Sequence, residues 1–403
     1  MPDTFTPNLN LCKPAAGSID WDTKINGNFD LIDPLESRVA ALEALHGGEV
    51  PGFWVMAPGS TWADFLTTYT SAGSGDTIML PNETIIQTSA KQIDKSITIL
   101  GHPGGLSNLK AVSDLSLSGS GQQLFIYTGA LPALKVRLSG FTIEHDRSTV
   151  TRISAVNYGG YIDYLDISFM TFKNITSDVS HHYSNPDPSG VAQTKNVNFR
   201  YNAVQEWYES VMLTYAGSID GLYVIGNNCV TTAPHPNTAV SRPYGVDIGL
   251  EYDTSTSNTI VSNVIIAGNT FDASGAPGAS MANSLGIALS QSGTTGGISY
   301  RNVVAQNNII KGFYYNMRLV NMNNIGGPIG SHIYFMDNKL SSGLSHNIHI
   351  QPFDGGGTPG YGSPNDLVVV TGNDVTASET DVFEDFSNAS ALTYFKSKNN
   401  YHT

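Results

Sequence analysis

Nine times along this chain the same four-position signature recurs: a mostly apolar residue five before a centre, another three before it, the centre itself, and a residue two after it. The copies are Val136, Leu138, Phe141, Ile143; Leu165, Ile167, Met170, Phe172; Val197, Phe199, Asn202, Val204; and Leu222, Val224, Asn227, Cys229. They continue as Val264, Ile266, Asn269, Phe271; Asn302, Val304, Asn307, Ile309; Ile333, Phe335, Asn338, Leu340; Val368, Val370, Asn373, Val375; and a frayed Tyr394, Lys396, Asn399, Tyr401. Alternation within a copy is the period of a strand with one buried face. Seven of the nine centres are Asn, a residue that tolerates left-handed dihedrals and can stack amide on amide, so each centre marks a turn repeated from copy to copy. Centres lie 25 to 42 residues apart, which implies a short unit with irregular insertions. A second strand follows the centre, as Val211-Met212-Leu213, Val246-Asp247-Ile248, Ile287-Ala288-Leu289, Met317-Arg318-Leu319 and Ile348-His349-Ile350. Two or more strands per unit, each with alternate positions inward, describe an all-β parallel β-helix. Propeller blades would need longer, steadier repeats with antiparallel hairpin signals, and leucine-rich repeats a different spacing.

Composition narrows the function. Of 403 residues only 13% are charged, 20 basic against 34 acidic, for a formal net charge of −14. A nucleic-acid binder would carry clustered Lys and Arg to displace counterions, so nucleic acid is not an expected partner. Cys12 and Cys229 are too few and too far apart for a disulfide framework or a thiolate metal cluster. No apolar run is long enough for a membrane helix, and the N-terminus lacks the basic-then-apolar order of a signal peptide. The expectation is a chain that neither inserts in a membrane nor leaves by the general secretory route.

Residues 1–50 differ from the rest. Ile25, Ile32 and Val39 are spaced by seven, as are Leu35 and Leu42, which fits either a short coiled-coil seam or one amphipathic helix; Asn28 holds a core position of that frame. The stretch 46–52, HGGEVPG, breaks a helix and reads as a linker to a β domain over 51–403. Within that domain Trp62 to Tyr69, behind Ser60 and Thr61 as N-caps, predicts a short helix that covers the open end of a sheet. The last copy runs nearly to Thr403, so no separate C-terminal association module is expected.

GDTIMLPNETI (75–85), SITILGHPGG (96–105) and the repeated short strands with Asn-rich turns resemble the pectate-lyase-like right-handed parallel β-helix superfamily over about 55–403. NLNLCKPAAGSIDWDTKINGNFDLID (8–33) resembles the N-terminal segment of bacteriophage tail-fibre and tailspike proteins, with its Asn-Leu-x-Leu start, Asp-Trp pair and Ile-Asn-x-Asn-Phe-Asp core. Together the resemblances imply a viral tail protein that meets a host surface polysaccharide. They also imply a homotrimer and attachment to other tail proteins through the N-terminal segment.

In a solenoid, equivalent outward residues stack about 4.8 Å apart into columns. The middle residues of the second strand give Met212, Asp247, Ala288, Arg318 and His349, and two residues on stand Thr214, Gly249, Ser290, Val320 and Gln351. Outward polar residues are ordinary on a solvated sheet. In a chain so poor in charge, however, Asp, Arg and His in one column, bordered by Tyr244, Glu251, Asp253 and Asp354, form an enrichment that points to a site. Insertions 231–244, 272–284 and 352–366, with 181–190, are placed to wall a groove. Trp207, Tyr208, Tyr215, Tyr252, Tyr314 and Tyr361 are candidates to stack on sugar rings, though several suit a core equally.

Two chemistries suit a glycan. Hydrolysis needs two carboxylates in different protonation states, about 5–5.5 Å apart for retention or about 6.5–9.5 Å for inversion. Asp247 with Glu251 or Asp253, or with Glu209 one rung earlier, supplies candidates. Elimination from a uronic acid needs a base and a cation for the substrate carboxylate; Arg318 and His349 suit those roles, with Tyr244 as acid. YGVD (244–247) resembles part of the Tyr-Gly-x-Asp motif of alginate epimerases and lyases, with Ile248 and Gly249 where those carry Pro-His. The charge of −14 disfavours a polyuronate without calcium or a local basic pocket, and no DxDxDG calcium loop is present. Hydrolysis of a neutral or mixed glycan is therefore preferred, with no cofactor unless calcium serves a polyuronate. His181, His182, His346 and His349 fit no tetrahedral metal spacing, and no nucleophile elbow occurs. A non-catalytic adhesin using the same groove is the alternative.

Overall fold

The computed structural model describes residues 4–5, 12–13, 52–117, 120–183, 193–216, 218–232, 243–250, 259–276, 284–291, 298–320, 332–351, 367–376, 382–384, 395–398 and 401–402. The chain divides into two compact units, 1–52 and 53–403. In the first, Thr4–Phe5 pairs antiparallel with Cys12–Lys13; the helical or coiled-coil reading of residues 20–45 lies outside the described residues.

The second unit is a right-handed parallel β-helix. Its described strands form three long sheets, each built, beyond the first coils, by taking every third strand of the chain. The first sheet carries the −5 and −3 positions of the repeat, as in Leu134–Ser139, Ile162–Ser168, Thr194–Arg200 and Ile219–Ile225. The second holds the short strands after the centre, such as Thr142–His145, Thr171–Ile175, Ala203–Trp207 and Asn228–Val230. The third holds Ser154–Gly160, Ser180–Tyr183, Ser210–Ala216, Tyr244–Leu250, Leu285–Gln291, Tyr315–Val320 and His346–Gln351. Three strands per coil, rather than the minimum of two, follow from the sharp bend at each centre. Inward residues of all three sheets merge in one continuous core.

The bend has a repeated chemical cause. The residue just before each centre has a left-handed φ: Gly140, Phe169, Tyr201, Gly226, Gly268, Asn307, Asp337 and Gly372. The centre that follows turns its side chain inward. From Asn202 through Asn227, Asn269, Asn308 and Asn338 to Asn373, each Oδ1 accepts the backbone N–H of the centre on the preceding coil, at 2.9–3.1 Å. Each Nδ2 donates to a carbonyl of the preceding coil, Ile167, Phe199, Val224, Ile266, Ala305 and Phe335 in turn. The ladder thus satisfies buried backbone groups that the bend removes from the sheets.

The sixth copy is shifted by one residue from the sequence expectation. Val303, Ala305, Asn308 and Ile310 are buried, whereas Ile309 is 44% exposed. Asn307 takes the left-handed position and Asn308 the ladder position. In an Asn-Asn doublet either residue suits either role, and a one-residue slip exchanges the two faces of the strand. The last copy shifts the same way, with Phe395 rather than Tyr394 opposite Val368 and His402 opposite Val375.

Helix α1, Trp62–Ser71, opens the β-helix. Thr61 is its N-cap in a reciprocal capping box: the Thr61 N–H donates to Asp64 Oδ2 at 2.7 Å, and the Asp64 N–H donates back to Thr61 Oγ1. Trp62, Phe65 and Tyr69 face inward and join the core beside Ile78, Leu80 and Ile85, which closes that end of the solenoid.

Candidate functional site

The outward column of the third sheet can be read directly from strand register. It runs Gln92, Phe125, Asn157, His181, Leu213, Asp247, Ala288, Arg318 and His349. Asp247, Ala288, Arg318 and His349 therefore share one column, as their spacing predicts. Met212 does not: Leu213 pairs with Asp247, while Met212 is fully buried and takes the Tyr158 hydroxyl on its sulfur at 3.3 Å. Thr214, opposite Ile248, is likewise inward. Gly249, Ser290, Val320 and Gln351 do form the neighbouring column. The column is recessed rather than freely solvated, with Asp247 7%, Ala288 0% and His349 5% exposed.

Register does not bring Asp247 to Glu209. Ser210 pairs with Tyr244, so Glu209 stands four residues upstream of the position opposite Asp247, an α-carbon separation of about 14 Å. Glu251, Asp253 and Asp354, proposed partners of Asp247, lie outside the described residues, as do Tyr252 and Tyr361. Tyr215 and Gln351 lie on described strands, but their side chains are not described. Trp207 and Tyr208 are unsuited to stacking on a sugar because both are buried. Trp207 sits in the core and donates to the Tyr244 carbonyl at 2.8 Å, and the Tyr208 ring lies beneath the Arg147 guanidinium. Burial also pushes the Tyr208 hydroxyl up to about 12. Tyr244 is half-buried at the start of its strand.

Glu209 instead has a carboxylate neighbour that sequence reading missed, Asp178. Both occupy the turns that lead into the third sheet, just before Ser210–Ala216 and Ser180–Tyr183. The Ser210 N–H donates to Asp178 Oδ1 at 3.1 Å, and His181 Nδ1 lies 3.0 Å from Oδ2. Glu209 accepts the Ser177 hydroxyl at 2.5 Å on Oε2 and the Arg152 guanidinium at 2.8 Å on Oε1. Its protonation equilibrium is pulled both ways. Desolvation and then the nearby Asp178 charge raise its pKa, while Ser177 and Arg152 lower it. The raising influences prevail. The Arg152 side chain is 63% exposed, so solvent screens its charge, whereas the Glu209 side chain is only 16% exposed.

The arrangement is a pair of neighbouring carboxyl groups: Glu209, whose pKa is raised, and Asp178, which accepts the Ser210 N–H and lies against His181. The sequence signal for Asp178 was the repeat itself, since Ser177 and Glu209 stand at matching places on adjacent coils, joined by a hydrogen bond from the Glu209 N–H to the Ser177 carbonyl. His181, in the outward column, connects this pair to the rest of the face.

Three coils further on, a second cluster occupies the same edge of the sheet. Tyr315 pairs with His346 and Arg318 with His349. Asn316 and Met317 both point inward, so residues three apart, Tyr315 and Arg318, emerge together; Asn347 and Ile348 do the same for His346 and His349. A second amide contact, Asn316 Nδ2 to Asn347 Oδ1, fixes the inward pair. The Tyr315 ring stacks on His349 at 4.5 Å and on His346 at 5.8 Å, with Arg318 over it at 4.9 Å and Tyr314 edge-on at 4.8 Å. Burial lowers the His346 pKa. Among the described residues no three His, Cys, Asp or Glu side chains converge as a metal site, and no helix is long and apolar enough to cross a membrane.

No protein-family model matches the chain, and comparison with curated proteins gives no match. Among solved structures it is similar to bacteriophage CBA120 tailspike protein 3, at 12% identity and a TM-score of 0.30, over 86% of this chain and 61% of that one. The match thus spans less than two thirds of the tailspike's length.

Proposed function

We propose that the chain is a tailspike-like protein of a bacteriophage that binds a host surface polysaccharide along the third sheet and cleaves it by glycoside hydrolysis. The Glu209–Asp178 pair carries this reading. Hydrolysis requires one carboxyl group that donates a proton to the leaving oxygen and one that activates water or attacks the sugar. Glu209, raised by burial and by the nearby Asp178 carboxyl group, suits the acid; Asp178, which accepts the Ser210 N–H and lies against His181, suits the second carboxyl group. The N-terminal resemblance to tail proteins supports the viral role, a homotrimer and attachment to a virion through residues 1–50.

Asp247 is assigned to substrate binding in the same face, because register places it in the outward column with Arg318 and His349. The adhesin reading has one observation in its favour, the Arg152–Glu209 ion pair, which opposes protonation of the acid. Glu209→Gln and Asp178→Asn decide between them. With host capsular and O-antigen polysaccharides, both variants should lose release of reducing ends by at least about a hundredfold while keeping polysaccharide binding. Wild-type binding without reducing ends would establish the adhesin. Products absorbing as unsaturated uronates would replace hydrolysis with elimination.

A further inference from the structure

The Tyr315, Arg318, His346 and His349 cluster takes no part in the hydrolytic chemistry assigned to Glu209 and Asp178, yet it is built to an unusual plan. Three rings lie nearly parallel, with interplanar angles of 16° for Tyr315 with His346, 18° for Tyr315 with His349 and 23° for His346 with His349. The Arg318 guanidinium lies against the same tyrosine. Such a stack costs conformational freedom and sets two imidazoles beside a fixed positive charge.

The arginine is the informative member. Arg137 and Arg200 pair with Asp166, and Arg152 pairs with Glu209. Arg318 forms no ion pair with any described carboxylate, and its Nε is buried without a hydrogen-bond partner. A guanidinium held by the face of an aromatic ring keeps its N–H edge available, and a buried N–H without an acceptor is costly to leave unsatisfied. Planar carboxylate is the group whose geometry matches that edge.

Resting on the reading of this face as a polysaccharide-binding surface, we propose that Tyr315, Arg318, His346 and His349 form a subsite for an acidic sugar, with Arg318 receiving its carboxylate. Tyr315 holds the guanidinium in place, and the two imidazoles stack on the same ring. The cluster stands three coils, about 14 Å, from the Glu209–Asp178 pair along the same edge, a span suited to a short oligosaccharide. The substrate class is then a polysaccharide with an acidic residue in its repeat. A local cationic spot of this kind admits an anionic group to a chain of net charge −14.

The test is a titration that needs no cleavage. The imidazole signals of His346 and His349 are followed by NMR as the full chain is titrated to high concentration with D-glucuronate, D-galacturonate and N-acetylneuraminate. Glucose, galactose, acetate and inorganic phosphate are run in parallel. At least one acidic sugar should give saturable shifts with affinity at least tenfold above its neutral counterpart and above acetate and phosphate. Arg318→Gln should abolish that preference and Arg318→Lys restore part of it, with unfolding transitions checking that both variants are folded. Equal response to neutral and acidic sugars, no saturable response to any of the three acids, an equal response to acetate or phosphate, or a preference unchanged in folded Arg318→Gln overturns the proposal. Because catalysis is not read, loss of the Glu209–Asp178 mechanism would leave this result standing.

Discussion

Replacing Asn308 by Ala should cost far more than replacing Asn307 by Gly, although the two residues are adjacent and chemically identical. The Asn308 side chain accepts the Asn269 N–H at 3.0 Å and Asn269 Nδ2 at 2.9 Å, and it donates to the Ile266 carbonyl at 2.8 Å and to Asn338 Oδ1 at 2.9 Å. Truncation leaves three buried groups short of a partner: the Asn269 N–H, one Asn269 amide hydrogen and the Ile266 carbonyl. Asn338 Oδ1 is less affected, because it still accepts the backbone N–H of residue 308. At roughly 1–1.5 kcal/mol per orphaned group the loss is about 3–4.5 kcal/mol. Asn307 has a φ of 55°, and its Gly substitution relieves left-handed strain, so a change within about 1 kcal/mol is expected. Because neighbouring coils carry most of the coupling in a solenoid, the damage should be local before it is global. Amide exchange reads it directly: the Asn269 N–H in Asn308→Ala should exchange about a hundredfold to about two thousandfold faster than in Asn307→Gly, with faster unfolding in guanidinium as a second readout. Equal effects, or a larger effect at Asn307, would refute the ladder register and the explanation of the bend.

Acid should destabilise the fold through buried His145. Burial lowers its pKa to about 3 from 6.5, so the unfolded chain binds a proton that the folded chain refuses; stability is kept above about pH 6.5 and lost as pH falls toward 3. His145→Gln should remove about 1.4 kcal/mol per pH unit from the slope between those limits, measured by denaturant unfolding; an unchanged slope counts against a neutral buried imidazole. Activity should decline as pH rises through the raised pKa of Glu209, and Arg152→Ala, which removes a lowering influence, should move that decline to higher pH; a shift to lower pH would contradict the acid role. Gly286→Ala should disturb the stack below Tyr315, because an added Cβ would stand 2.3 Å from the Asn316 carbonyl oxygen; a loss of at least about 2 kcal/mol is expected, and an unaltered unfolding transition would mean the coils do not approach so closely.

What the sequence determined is whatever follows from periodicity. Alternating apolar positions at Val264 and Ile266 or Val368 and Val370, with Asn at the bend, dictate inward strands and a stacked turn, and stacking in turn places Asp247, Arg318 and His349 in one column. The helix over Trp62–Ser71 was legible for the same reason, since capping and amphipathic spacing are local. Tertiary structure decided what periodicity leaves degenerate. Asn307 and Asn308 present the same side chain to a one-residue slip, and only the left-handed turn on each neighbouring coil selects between them. The partner of Glu209 was legible only as a matching place on the repeat: Asp178 lies in a turn, where no alternation reports direction, and the contacts of both carboxyl groups depend on coils some 30 residues apart in sequence. Likewise Tyr315 and Arg318 share a face only because Asn316 and Met317 both turn inward, a local departure from alternation that the packing of adjacent coils imposes.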